Sequence, residues 1–309
     1  MLDVRRLKVL REVAARGSFS AAAEALSFTQ SAVSQHVAAL ERETGTKLVE
    51  RGSRGVRLTE SGQALVTHAD AIFSRIDAAE EELAAIAGLR GGRLRMACFQ
   101  SAGATLVPRA VAEFHQRHPK VELSMVEAET EPARELLTCG EIDLALLYDF
   151  ELLPAAFDGD LALTHLIDDP YEVLLRKGHP LATKRSLSLA DLAEEPWIAA
   201  TTNSGCRQIT ERACQDHGFE PRIAFECDET LAAQALVAAG VGVTILPRLA
   251  LTTIHPEVVV RKLARGSQVI RRVWAAREEG AYHSPASEAM VQILLDVAKE
   301  FRAASLQAA

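Results

Sequence analysis

The chain has 309 residues, 48% of them hydrophobic, enough to bury the cores of two domains. No apolar run approaches the length of a membrane-spanning helix, and the charged, amphipathic amino terminus MLDVRRLKVLREVAARG lacks the form of a secretory signal. The formal net charge of −8 looks wrong for a nucleic-acid partner, but residues 1–66 hold ten Lys/Arg against seven Asp/Glu, so a head of +3 sits on a body of −11.

Leu7, Leu10, Val13 and Ala14 make one apolar face of a first helix that stops at Gly17. Ser20 is placed to cap a second, short helix from Ala21 to about Leu26, broken by Ser27-Phe28. Thr29 caps a third helix running to Glu43, with Gly45 following. On that helix Val33, Val37 and Leu40 share an apolar stripe, while Gln30, Ser31, Ser34 and Gln35 form an opposite face that carries no charge until Glu41 and Arg42. A helix that only needed to be soluble would face water with Lys and Glu. KLVERGSRGVRLT then alternates about a Gly52–Gly55 turn as a small hairpin. Helix, helix, turn, helix and wing compose a winged helix-turn-helix over 1–58.

Thr59 caps a long helix with Glu60 in its first turn. Leu65, Ala69, Ile72, Ile76, Ala79, Leu83 and Ile86 repeat at alternating steps of four and three, an a/d heptad that ends before Gly91-Gly92. Such a narrow stripe with charged flanks, over 59–90, predicts pairing with a second helix through Leu65, Ile72, Ile76, Leu83 and Ile86. From Arg93, short apolar runs alternate with helical patterns. RLRMACF precedes a helix at about 102–117, VELSMVEA one at about 131–139, and IDLALLY follows. YEVLLRK, PWIAA, RIAFEC and VGVTILP supply later strands, with helices at about 207–217 and 230–239, and WAAREE returns the chain to the first lobe. The body, 92–303, divides into lobe I (about 92–166 and 267–303) and lobe II (about 167–266), with AASLQAA as a frayed tail.

This order of parts, together with SFSAAAEALSFTQSAVSQHVAALERETGTKLVERGSRGVRLTESG, resembles the LysR-type transcriptional regulators. The resemblance covers the whole chain and is strongest over residues 18–62. It implies a winged helix-turn-helix, a linker helix and a two-lobed α/β effector domain like the periplasmic binding proteins. It also implies a cytoplasmic regulator without catalysis, cofactor or metal, whose partners are a double-stranded DNA operator, a small-molecule effector and further copies of itself. Dimers would form through the linker and tetramers through the bodies.

A reading helix needs groups that hydrogen-bond to base edges, and phosphate charge is handled elsewhere. Gln30 and Gln35 offer an amide donor and acceptor, and Ser31 and Ser34 suit several edges. Arg51, Arg54 and Arg57 around the wing would hold phosphates, and the resemblance places Arg54 in the minor groove. The family commonly has Gln or Arg where this chain has Gln35 and His36. In the body, ligands of an open α/β lobe sit where strands end and helices begin. Four such corners supply Gln100 and Ser101, Thr130, Thr202 and Asn203, and Asp228. Their hydroxyls, amides and free N–H groups favour a polar or anionic effector, and the resemblance gives Ser101 and Thr130 that role. Glu127, Glu129, Glu226 and Asp228 nearby would instead receive an amine or a hydroxyl.

Five scattered cysteines (Cys98, Cys139, Cys206, Cys214, Cys227) show no CxxC and predict reduced thiols. One branch of the family senses peroxide through two cysteines near Cys206 and Cys214. Here a helical rise of 1.5 Å per residue sets the pair about 12 Å apart, beyond disulfide reach, so they read as buried structural thiols. Two rivals stand beside the regulator. An α/β enzyme with an accessory head is disfavoured by the lack of GxSxG, P-loop or HExxH. A nucleoid-structuring protein would rely on a far more basic surface.

Overall fold

The computed structural model describes residues 1–52, 55–86, 92–153, 157, 159–202 and 204–307. The chain divides into two units, Met1–Gly91 with Glu135–Asp143, and Gly92–Arg134 with Leu144–Ala309. In the first, α1 (Val4–Arg16), α2 (Phe19–Ala25) and α3 (Gln30–Thr44) enclose buried Val9, Val13, Phe19, Val33 and Val37. Each helix begins on a side-chain oxygen: Asp3 accepts from the Arg5 amide at 2.8 Å, Ser18 from Ala21 at 3.4 Å and Thr29 from Ala32 at 3.2 Å. The cap of α2 is therefore Ser18 rather than Ser20. Phe19 has to enter the helix to reach the core, where it is buried.

β1 (Val49–Gly52) and β2 (Gly55–Leu58) pair antiparallel with Val49 opposite Leu58. Gly55 has φ 122°, and a β-carbon there would lie 2.7 Å from the Gly17 carbonyl oxygen. That oxygen accepts from the Val56 amide at 2.8 Å, so the wing is tied to the end of α1. α4 (Glu60–Ile86) starts on Thr59, whose hydroxyl accepts from the Gly62 amide at 3.0 Å and donates to the Lys47 carbonyl at 2.7 Å. A β-carbon on Gly62 would meet the Leu48 carbonyl oxygen at 2.0 Å. Gly62→Ala is expected to destabilise this unit by about 3 kcal/mol, the cost of forcing atoms into a filled site. Thermal melting followed by helical circular dichroism would show it, with tryptophan fluorescence unmoved because Trp197 and Trp274 both lie in the other unit. An unchanged melt would mean that α4 can slide away from β1.

The second unit runs β3 (Gly92–Cys98), α5 (Gln100–Gly103), α6 (Leu106–Arg117), β4 (Val121–Glu127), the first part of α7 (Thr130–Thr138, which from Glu135 counts with the first unit) and β5 (Leu144–Phe150). It continues through β6 (Leu161–Arg176), β7 (Ser186–Leu187), β8 (Pro196–Ala199), α8 (Gly205–Asp216), β9 (Arg222–Glu226) and α9 (Thr230–Ala239). β10 (Thr244–Pro247), β11 (Val258–Leu263), β12 (Ile270–Glu278) and α10 (Pro285–Gln307) complete it. β3 pairs in parallel with β4 and β5, while β12 is antiparallel to both β5 and the first half of β6. β5 is buried along its whole length, as a strand covered on both faces must be.

The second half of β6 changes partners to β10 and β11. The switch falls between Pro170, opposite Ile270 of β12, and Tyr171, opposite Pro247 of β10. One sixteen-residue strand is thus shared by two lobes. β7 extends β11, and the parallel pair β8–β9 joins beside β10 through Trp197 and Val243. Buried Met96, Phe114, Leu144, Val273 and Leu294 belong to the large core, and Leu174, Ile198 and Val237 to a smaller one under α9. Three features depart from the sequence reading. β6 starts ten residues before Tyr171, β11 and α10 are additional elements, and AASLQAA is helical as far as Gln307. Among the described residues no helix is long and apolar enough to cross a membrane.

Candidate functional site

On α3, buried Val33, Val37 and Leu40 fix the helix to α1 and α2, which leaves Gln30, Ser31 and Gln35 exposed and Ser34 half-buried. The Ser31 hydroxyl lies 3.0 Å from the Thr29 hydroxyl, so it is held against the cap that starts the helix. His36 is half-buried, its ring stacked on Phe28 at 5.7 Å and 22°. Arg57 is exposed on β2. Arg54 and the Arg51 side chain lie outside the described residues. Glu41, at the far end of α3, accepts from Lys47 Nζ at 2.8 Å and the Leu48 amide at 3.0 Å. Burial pushes its carboxyl up, but the bonds from Lys47 and the Leu48 and Val49 amides outweigh this and hold it below its ordinary 4.5. A depressed carboxyl contributes stability that is present above the ordinary value and lost as pH falls through the folded one. The stability difference between the native protein and Glu41→Gln should accordingly shrink as pH is lowered below 4.5; a constant difference in acid melts would assign the contact no ionic component.

The heptad of α4 is split. Leu65 is half-buried and Ala69 fully buried against Leu7, Leu10, Leu40 and Leu48, so Leu65 belongs to the core of its own unit and not to a free pairing stripe. Arg11 fixes this junction, reaching Asp70 at 3.5 Å with its guanidinium 4.6 Å from the Phe73 ring centre. Beyond it Ile72, Ile76 and Leu83 are exposed by 36%, 38% and 66%. The Ile86 side chain lies outside the described residues.

A cavity of about 700 Å³ lies between the two lobes of the second unit. Its floor is a buried ion pair. Arg271 Nε and Nη2 donate to Asp169 Oδ2 at 3.1 and 2.7 Å, Nη2 also donates to Ser101 Oγ at 2.7 Å, and both charged partners are buried. Burial alone would push the guanidinium down, yet Asp169 beside it holds it above its ordinary value. The guanidinium lies over the rings of Phe99 and Tyr148, 4.6 and 5.0 Å from their centres. Asp169 Oδ1 accepts from the Leu249 amide at 3.0 Å, so this one carboxylate fastens β12 of lobe I to the turn after β10 in lobe II. The Tyr148 hydroxyl donates to Glu129 at 2.7 Å and that of Tyr171 to Cys206 Sγ at 3.3 Å. Burial raises both phenols, which keeps them as donors.

Of the residues expected to meet an effector, Gln100, Ser101, Thr130 and Asp228 line this cavity. Thr202 does not, and Thr201 takes its place. The Thr201 amide and hydroxyl each donate to Asp228 at 2.8 Å, which turns the loop so that the Thr202 hydroxyl goes to Glu226 at 3.3 Å. Asn203 lies outside the described residues. The Thr130 hydroxyl serves the fold, accepting from the Tyr148 amide at 3.2 Å and donating to its carbonyl at 3.3 Å. Arg271, Tyr148 and Cys206 also line the cavity and were not singled out as effector residues. An arginine pair, Arg271-Arg272, inside an otherwise apolar strand was the available signal. Both Cys206 and Cys214 are on α8. Cys214 is a buried thiol pushed up to about 12 by burial and then Glu211, whereas Cys206 is half-buried on the cavity wall.

Comparison with known proteins matches residues 87–299 to the LysR substrate binding domain and residues 4–63 to the bacterial regulatory helix-turn-helix protein, lysR family. The chain is 34% identical over 306 residues to a probable HTH-type transcriptional regulator, LrrA, of Synechococcus elongatus, covering 98% of this chain and 99% of that protein. It is 31% identical over 305 residues to the RuBisCO operon transcriptional regulator of Allochromatium vinosum, covering 96% and 97%. Among solved structures, a full-length OxyR variant from Pseudomonas aeruginosa superimposes with a TM-score of 0.74 at 24% identity, covering 97% of this chain and 95% of that one. Full-length CbnR complexed with its target DNA gives 0.69 at 20% identity, covering 96% and 100%. At such identities the structures attest the shared fold.

Proposed function

Because the chain belongs to the LysR family of transcriptional regulators, a DNA-binding head joined to an effector-binding body, we propose which of its residues perform each task. Gln30, Ser31, Ser34 and Gln35 read base edges of an operator, with Arg51, Arg54 and Arg57 on its phosphates. The observation that carries this is the exposed, uncharged amide face of α3, anchored from behind by three buried side chains. The winged head spans 1–58, the linker 59–90 and the body 92–303, and the partner change in β6 supports a lobe border between Pro170 and Tyr171.

The small molecule enters the cavity between the lobes and shifts the balance between two arrangements of the regulator by binding one better than the other. The body binds and does not turn over its ligand. Ser101, Ser204 and Cys206 line the cavity, but no histidine stands among the described lining residues to activate them. The protein works in the cytoplasm as a dimer through α4 and as a tetramer through its bodies.

The test is fluorescence anisotropy on an operator selected from random duplexes. Gln30→Ala and Ser34→Ala should each cost about 1–3 kcal/mol on the operator and nearly nothing on random DNA. Arg57→Ala should weaken both and lower the salt slope by about 1. Equal losses on both DNAs for Gln30→Ala would remove base reading from α3.

A further inference from the structure

Helix starts around the cavity attract anions, whereas Glu129 and Asp228 on its wall attract cations. The charges in the cavity separate these two possibilities. Among the described residues one basic residue lines it, Arg271, against four acidic ones, Glu129, Glu131, Asp149 and Asp228. Arg271 is matched by Asp169 from beneath. Asp149 receives Arg272 Nε and Nη2 at 2.9 and 2.6 Å and Trp274 Nε1 at 3.0 Å. Glu131 lies 3.8 Å from Arg134 on its own helix. Glu129 and Asp228 remain, one from each lobe. Their hydrogen-bond donors are neutral: the Tyr148 hydroxyl for Glu129, and the Thr201 amide and hydroxyl for Asp228.

The helix starts do not offset this. A helix N-terminus carries roughly half a positive charge, but those of α7, α8 and α9 are already answered, and α5, which starts without a side-chain cap, is only four residues long. Glu131 stands in the first turn of α7, Ser204 Oγ accepts from the Cys206 amide at 3.1 Å, and the Glu229 carboxylate accepts from the Ala232 amide at 2.7 Å at the start of α9. Two carboxylates facing one partly enclosed cavity, with no cation bonded to either among the described residues, leave a negative field that a ligand can neutralise.

Resting on the reading of this cavity as the effector site, we propose that the effector carries a protonated amine, bound by Glu129 of lobe I and Asp228 of lobe II. An ammonium group has three N–H donors and no acceptor, so it matches a wall of carboxylate acceptors. A carboxylate in the same place would add charge to a wall that is already negative. The expected effector is therefore polar and cationic, of a size set by the 700 Å³ cavity.

The proposal is tested on the full chain by calorimetry with agmatine, tyramine and putrescine as amine probes, and benzoate, succinate and citrate as carboxylate probes. At least one amine should bind, and Glu129→Gln and Asp228→Asn should each weaken it about tenfold or more, as the loss of a charge-assisted bond requires. Both substitutions keep the side-chain shape at exposed positions, so folding is retained. Amine binding that both variants leave unchanged overturns the assignment to these carboxylates, and failure of every amine to bind overturns the amine itself. If carboxylates then bind and Thr201→Trp, a block at an exposed wall residue, abolishes their binding, the cavity stays the effector site. If they do not bind either, that reading falls with it.

Discussion

Arg271→Met should destabilise the body by about 3–5 kcal/mol, the cost of leaving one member of a buried ion pair without its partner. Asp169 would be left as the uncompensated charge, buried and still holding the Leu249 amide. Urea unfolding followed by tryptophan fluorescence reads this unit alone, since both tryptophans lie within it. Asp169→Leu in the Arg271→Met background should restore most of the loss, because an apolar pair of similar volume does not pay desolvation. If Arg271→Met alone leaves the midpoint unchanged, the pair is spectator to folding and the floor of the cavity is held by its apolar wall.

Ile72→Glu with Ile76→Glu should lower operator affinity by orders of magnitude. A single reading helix spans too few base pairs to find one site in a genome, and two such helices, held one DNA turn or a multiple apart, read a partly palindromic site. The structure sharpens the choice of positions. Leu65 and Ala69 are already committed to the head, so charges there would unfold it, whereas Ile72 and Ile76 are more than a third exposed and cost little within one chain. A loss of binding from this double variant then reports assembly and not folding. Sedimentation and footprinting on the same sample decide it. Wild-type protection of both half-sites would make the exposed stripe irrelevant to pairing.

The head was legible in detail because its signals are local. Thr29, Gly45 and Thr59 stand where helix chemistry alone puts them. Spacing alone favours Ser20 as the cap of α2, but Ser18 takes the role because Phe19 must enter the helix to reach the core. In the body, strands with continuous apolar runs such as IDLALLY were plain, but β6 was not. Its Asp168-Asp169-Pro170 stretch looks like a loop, and pairing with β12, a hundred residues away in sequence, with Asp169 buried against Arg271, keeps it extended. The cavity was half legible for the same reason. Ser101, Thr130 and Asp228 sit at strand ends that sequence order reveals, while Arg271 and Tyr148 reach the site from strand interiors and Thr201 gains its place through a bond to Asp228. Contacts between distant segments carry no periodic mark.

The chain leaves lobe I at Pro170 and returns to it at Ile270, and these two residues are direct partners across β6 and β12. Partners in an antiparallel ladder lie about 5 Å apart. In chain connection everything from 171 to 269 therefore enters and leaves at two neighbouring points, with the Asp169–Leu249 bond as a further tie. Lobe I needs only that short gap bridged, so another regulator's lobe II, cut at the same two ladder positions, fits without re-registering a strand. Such chimaeras would carry Glu129 from one parent and the Asp228 position from the other, and ligand preference becomes a property that can be recombined half at a time.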